Sequence, residues 1–304
     1  MQPWASKSLL QPNNKKKHPH TPHSPHPCLL GLLAITVAAT IFLFFYYHTS
    51  NLCVSSSNDI VPLTKSQAEV AAEFDTTPVA LVTLLYYATA HVIPEQTKAE
   101  IRKPLDLLQS LAPCNFLVFG MGHDALMWDS FNPRGTTLFL EEDPRWTRFT
   151  LQRFPILRAH TVRYSTRLSD AHSLISSYKK DCSRAISIVD HPLKGHRGCP
   201  LALTDLPDEV YDHDWDVIFI DGPRGFFPGA PGRMSVIYSA AMMARWRKKS
   251  GVTHVFLHDV DREVEKLYAE EFLCIKYRLG GLRKLWHFVI PPAANATDIT
   301  HGFC

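Results

Sequence analysis

The chain has 304 residues, 45% hydrophobic and 20% charged, enough for one substantial domain with its own core plus tails. Its net charge of +3, with no run of Lys and Arg interleaved with aromatics over the globular part, argues against a nucleic-acid partner. No repeat of fixed period is visible.

Residues 1–27 are polar and carry Lys15-Lys16-Lys17 and then His18, His20, His23 and His26 interleaved with Pro, a composition that builds no core and reads as a disordered, solvated tail. Cys28–Tyr47 follows as 20 uncharged residues, matching the ~20 that a helix needs to cross a bilayer and ending in the aromatic pair Tyr46-Tyr47. Lys7 and Lys15–Lys17 precede this segment and no Lys or Arg follows it before Lys65, so the positive-inside rule puts the N-terminus in the cytosol and the remainder across the membrane. The span is on the short side, which suits the Golgi or endoplasmic reticulum as a type II signal-anchor. Residues 48–77 read as a lumenal stem and 78–304 as the globular domain.

Two features agree with a lumenal domain. Asn295-Ala-Thr297 is a glycosylation sequon. Cys53, Cys114, Cys182, Cys199, Cys274 and Cys304 lie beyond the span, an even count that permits disulfides, with Cys182–Cys199 the expected pair and free thiols the alternative. No C-x-x-C pair points to zinc.

Val79–Ile93 is apolar but too short to span and is expected as a buried or membrane-hugging helix. Glu95–Leu111 reads as an amphipathic helix disturbed near Pro104. Phe116–Phe119 is a buried strand running into the glycine turn Gly120-Met121-Gly122. Further strands are expected at 136–140, 160–164, 216–220, 252–257 and 285–290, separated by helices at 125–130, 145–153, 170–180, 235–248 and 262–271. That alternation means a mostly parallel α/β sheet covered on both faces. Met234, Met242 and Met243 at helical spacing read as core filler, and Trp128, Trp146, Trp215 and Trp286 as packing residues.

Polar residues cluster where these strands end: Gly120, Gly122, Asp124, Glu141, Glu142, Asp221, His258 and Asp259, the rim at which open α/β sheets bind ligands. Gly120-x-Gly122 with Glu141 twenty-one residues on fits a dinucleotide site and an S-adenosylmethionine site equally, with the acidic pair toward the ribose. The single domain, with no second catalytic domain in view, favours the methyl donor.

The blocks NFLVFGMGHD, TLFLEEDP, DVIFIDGP, APGRM and HVFLHDVDR together resemble the plant xylan-biosynthesis family of glucuronoxylan 4-O-methyltransferases and irregular-xylem-fifteen proteins. LAPCNF, NPRGTT and LWHFVIPPAANATD look closer to the irregular-xylem-fifteen branch. The resemblance implies a Rossmann-like, S-adenosylmethionine-methyltransferase-type doubly wound sheet behind a single N-terminal transmembrane helix. It implies a Golgi membrane protein serving xylan in secondary walls, with xylan or glucuronoxylan and other xylan-synthesis proteins as partners. The activity of the methyltransferase branch is transfer to O-4 of glucuronic acid side chains; a non-catalytic component of a xylan-synthesising assembly is the alternative.

Methyl transfer to a sugar hydroxyl needs positioning and a base. Asp221 is the first candidate for that base or for a divalent cation ligand, with His258 and Asp259 next; whether a cation takes part is left open. Each has a structural alternative, Asp221 in capping a Gly-Pro turn and Asp259 in starting a helix. The Gly/Pro-rich loop 222–233 carries Arg224, Phe226, Phe227 and Arg233, residues suited to a uronate and a sugar face, unless the phenylalanines tuck into the core. One departure from the family pattern is Ala125, which stands where a serine usually follows the aspartate.

Overall fold

Strand β1 (Asn115–Phe119) alternates its side chains between two cores. Phe116 and Val118 enter one, Leu117 and Phe119 the other, and all four are essentially inaccessible to solvent. A strand buried on both faces must be central, and β1 pairs in parallel with β2 (Thr136–Glu141) on one side and β4 (Val217–Ile220) on the other. The computed structural model describes residues 78–91, 94–182, 191–294 and 304. The expected tail, span and stem (1–77) and Asn295 lie outside these, and among the described residues no helix is long and apolar enough to cross a membrane.

The seven strands run in the order β3-β2-β1-β4-β5-β7-β6, with β3 at Ala159–Thr161, β5 at Thr253–Leu257, β6 at Arg278–Leu282 and β7 at Leu285–Ile290. The first five are parallel; β7 enters antiparallel to β5, and β6 closes the edge. Helices α1 (Val79–Thr89), α2 (Lys98–Leu111), α3 (Ala125–Ser130) and α4 (Pro144–Arg153) contribute to the core on one face. On the other lie α5 (Ala171–Asp181), α6 (Asp208–Asp212), α7 (Met234–Trp246) and α8 (Glu263–Tyr268). Helix α7 is buried on nearly every side from Met234 to Arg245, and its methionines fill the core as expected.

Four local expectations are corrected. Helix α2 continues unbroken through Pro104, which is buried inside it; the missing N–H removes a single ladder bond, and a Thr97/Glu100 capping box fixes the helix start. Strand β3 ends at Thr161 rather than 164 because β2 has already turned into α4, leaving no partner beyond the Val162 N–H to Glu141 carbonyl bond. The helix after β5 passes at Ala269 into a π-helical turn reaching Cys274. Strand β6 is missing from the sequence reading because its exposed Gly280-Gly281 breaks the strand pattern.

Helix α1 packs Val79, Val82 and Tyr86 onto the core and leaves Leu81, Leu84 and Leu85 facing out, more than half exposed. Cys182 bonds to Cys199 as expected, and a second disulfide joins Cys274 to Cys304; Cys114 is a free, buried thiol.

Partly buried, neutral histidines make the fold acid-sensitive. His254 and His287 share a 3.0 Å hydrogen bond, and His287 stacks on Phe256. Burial, then His254 and Lys103, holds His287 down at about 4, and burial with Lys248 and Lys194 holds His191 at about 4. Unfolded histidine binds its proton near 6.5, so between pH 6.5 and about 4 the unfolded chain holds more protons and stability falls as pH falls. Thermal unfolding should show about 2 kcal/mol less stability at pH 5 than at pH 7 from the two together, allowing for partial exposure, with a shallower dependence in His287→Leu.

Candidate functional site

Glycine is required where β1 and β4 end because the two backbones touch. Gly120 has φ +99°, and a Cβ there would lie 2.9 Å from the Gly222 nitrogen; one on Gly222 would lie 2.6 Å from the Gly120 Cα. The Asp221 and Gly222 amides both donate to the Phe119 carbonyl, which locks the contact. The result is a ledge without side chains on the floor of a cleft of about 540 Å³. Gly120, Gly122, Asp124, Glu141, Glu142, Asp221, Arg224, Phe226, Arg233 and Asp259, all singled out in the sequence, line it.

Asp221 is the most strongly held of these. Its Oδ1 accepts from His258 Nδ1 at 3.0 Å and from Arg233 Nη2 at 3.1 Å, and its Oδ2 accepts from the Gln96 side-chain amide. Burial pushes its pKa up, but the His258 hydrogen bond and the Arg233 charge outweigh that, leaving it below the ordinary value and ionised. For His258 burial works downward, and the bond to Asp221 with the charges of Asp221 and Asp259 more than offsets it, so its pKa is raised. His258 is 3% exposed and sits behind Asp221 rather than in the cleft wall, so it orients that carboxylate instead of reaching a ligand.

Arg233, read from sequence as a uronate ligand, is 4% exposed and fully engaged. It donates to the carbonyls of His258 (2.8 Å) and Asp221 (2.5 Å) and pairs with Asp259 Oδ2 at 2.8 Å. This corrects its role: it braces the ends of β4 and β5. Asp259 takes the left-handed backbone conformation (φ +61°), held by Arg233 and by Arg262 at 2.9 Å. Asp221, His258 and Asp259 bring ligand-type atoms within 4.8 Å of one another, but the guanidinium between the two carboxylates already supplies the compensating charge. The three do not fit a resident cation.

The acidic pair divides its work. Glu141 accepts the Met121 amide at 2.8 Å and the Asp143 amide at 3.0 Å, bracing the glycine turn, and burial raises its pKa. Glu142 Oε1 is bound to Arg224, and its Oε2 carries no hydrogen bond among the described residues. Asp124 accepts from Trp128 Nε1 at 2.7 Å. Phe226 and Phe227 are 67% and 41% exposed in a T-shaped pair, so they do not tuck into the core. Ala125 is 2% exposed within the core beside Leu126; it is not in the main cleft wall but lines a neighbouring side cavity.

Sequence reasoning missed Gln96, His123, Trp146 and Arg262 in this wall. Trp146, expected only to pack, donates to the Met121 carbonyl, and its ring stands against His123 and stacks on Phe149. A side cavity of about 380 Å³ opens beyond Gly122, His123 and Trp146 toward Tyr86 and Arg153.

The mixed seven-stranded sheet with its glycine ledge defines a Rossmann-like methyltransferase-type fold. The chain matches the IRX15/IRX15L/GXM family over residues 99–288 and belongs to it. It is 51% identical to Arabinogalactan O-methyltransferase 1 of Arabidopsis thaliana, covering 91% of this chain and 94% of that one. With Glucuronoxylan 4-O-methyltransferase 1 of the same plant identity is 39%, over 88% and 93% of the two chains. With Protein IRX15-LIKE it is 34%, over 94% and 92%. Identity thus runs against the expected leaning to the irregular-xylem-fifteen branch. Among solved structures, a precorrin-6y C5,15-methyltransferase from Geobacter metallireducens GS-15 aligns with 16% identity and a TM-score of 0.35, covering 67% of this chain and 94% of that one.

Proposed function

We propose that the chain is a type II Golgi membrane enzyme that transfers a methyl group from S-adenosylmethionine to O-4 of glucuronic acid on a plant cell-wall polysaccharide. The observation that carries this reading is the side-chain-free ledge of Gly120 and Gly222, with ionised Asp221 beside it and a free acceptor, Glu142 Oε2, at the neighbouring strand end. The donor, when bound, supplies an electrophilic methyl on a sulfonium, already a good leaving group. Asp221 then accepts the hydrogen bond of the attacking sugar hydroxyl, and takes its proton as that oxygen bonds to carbon and becomes acidic. Glu142 Oε2 is the acceptor for ribose hydroxyls, while Glu141 keeps the turn in shape.

The relatives named as arabinogalactan O-methyltransferases make a glucuronate-bearing arabinogalactan the first acceptor to test, with glucuronoxylan second. Two disulfides and the charge asymmetry about residues 28–47 support the secretory lumen. Full-length protein in detergent, given methyl-labelled donor, should label one of these polysaccharides. Absence of donor binding at millimolar concentration would favour a non-catalytic component of a polysaccharide-synthesising assembly. Protease added to sealed vesicles should leave residues 78–304 intact, and their digestion would sink the topology.

Exposed Phe226 and Phe227 offer the polysaccharide an aromatic face beside Arg224, itself half exposed. Phe226→Ala is expected to raise KM for the polymer about 3- to 10-fold while kcat and donor affinity hold, as steady-state kinetics would show.

A further inference from the structure

Gln96 belongs to the connection between α1 and α2, yet its side chain reaches the end of β4, 125 residues along the chain. It is 6% exposed and lines the cleft. Its orientation is fixed by chemistry: Asp221 is ionised and can only accept, so the Gln96 amide must turn its NH2 toward it. That leaves Oε1 on the other side, buried and without a hydrogen-bond partner. A buried amide oxygen left unpaired is costly, which marks this atom as waiting for a donor.

The surroundings say which kind. Asp124, Asp221 and Glu95 all line this part of the cleft. Burial, then Asp221, then Glu95, holds Asp124 up at about 6, the behaviour of a buried carboxylate with other carboxylates near it. The cleft's arginines are already paired, Arg224 with Glu142, Arg233 with Asp221 and Asp259, and Arg262 with Asp259, and among the described residues no ion pair joins an arginine to Asp124 or Glu95. An acceptor oxygen set among carboxylates suits a ligand's ammonium group better than a neutral hydroxyl.

We infer that Gln96 Oε1 accepts a hydrogen bond from the cationic amino group at the amino-acid end of S-adenosylmethionine, with Asp124 and Asp221 supplying the countercharge. This rests on the donor reading above. It makes Gln96 a binding residue that also positions Asp221 through its NH2.

The test is calorimetry on full-length protein with S-adenosylhomocysteine, which keeps the amino-acid end, and 5′-methylthioadenosine, which lacks it. Gln96→Leu and Gln96→Met should weaken S-adenosylhomocysteine about tenfold or more, the range of a hydrogen bond to a charged group, and leave 5′-methylthioadenosine unchanged. The unchanged nucleoside would also report an intact cleft. Equal weakening of both ligands, or no change in either, would overturn the inference while leaving the donor reading in place. Failure of the wild-type protein to bind either ligand would overturn the donor reading and this inference with it.

Discussion

Asp221→Asn is expected to lower kcat for methyl transfer by about 10²- to 10⁴-fold, the range for removing a positioned base, while donor affinity changes much less. The substitution keeps the size of the side chain and removes only its charge and proton-accepting power. Asp221 suits that role: it lines the cleft beside the glycine ledge, its side chain is 27% exposed, and it is ionised. A depressed pKa makes it a weak base toward a ground-state hydroxyl. It is adequate for a late proton transfer, when the attacking oxygen already carries positive charge. Single-turnover rates with saturating donor would isolate this step; a loss below tenfold would shift the role to another group, with His123 the nearest imidazole on the cleft wall.

Much of the architecture was legible because its signals are local. Phe116–Phe119 running into Gly120, Val217–Ile220 running into Asp221-Gly222, and Glu141-Glu142 after Leu140 each announce a strand and its end. The rim followed, since parallel strands joined by helices bring those ends to one side. What the sequence cannot express is which rim residues spend their polar atoms on one another. Arg233 in a Gly/Pro-rich loop looks like a solvent-exposed ligand, and only the fold reveals two carboxylates and two carbonyls closing around it. Gln96 carries no motif at all; its place depends on α2 being fixed by the Thr97/Glu100 capping box next to it. Glu100 illustrates the same coupling, since its second oxygen accepts the Lys284 amide and ties α2 to the β6–β7 hairpin.

Arg233→Ala is expected to be the most damaging single substitution in the domain, costing about 3–5 kcal/mol, the range for removing one partner of a buried ion pair. It would leave Asp259 in a left-handed conformation with its main buried counterion gone, and it would expose Asp221 and the His258 carbonyl to the loss of their guanidinium donors. Asp259 would keep His258 at 3.5 Å and Arg262, which it shares with Glu265, a fully buried carboxylate whose pKa burial already raises. Arg233→Lys should recover little, because a single ammonium cannot reach two carboxylates and two carbonyls in the directions that the planar fork serves. The consequence separates this residue from one that merely grips a uronate: thermal unfolding should shift by many degrees without any polysaccharide present, and donor affinity should fall together with stability. A normal unfolding temperature with weakened polysaccharide binding alone would return Arg233 to the role of a substrate ligand.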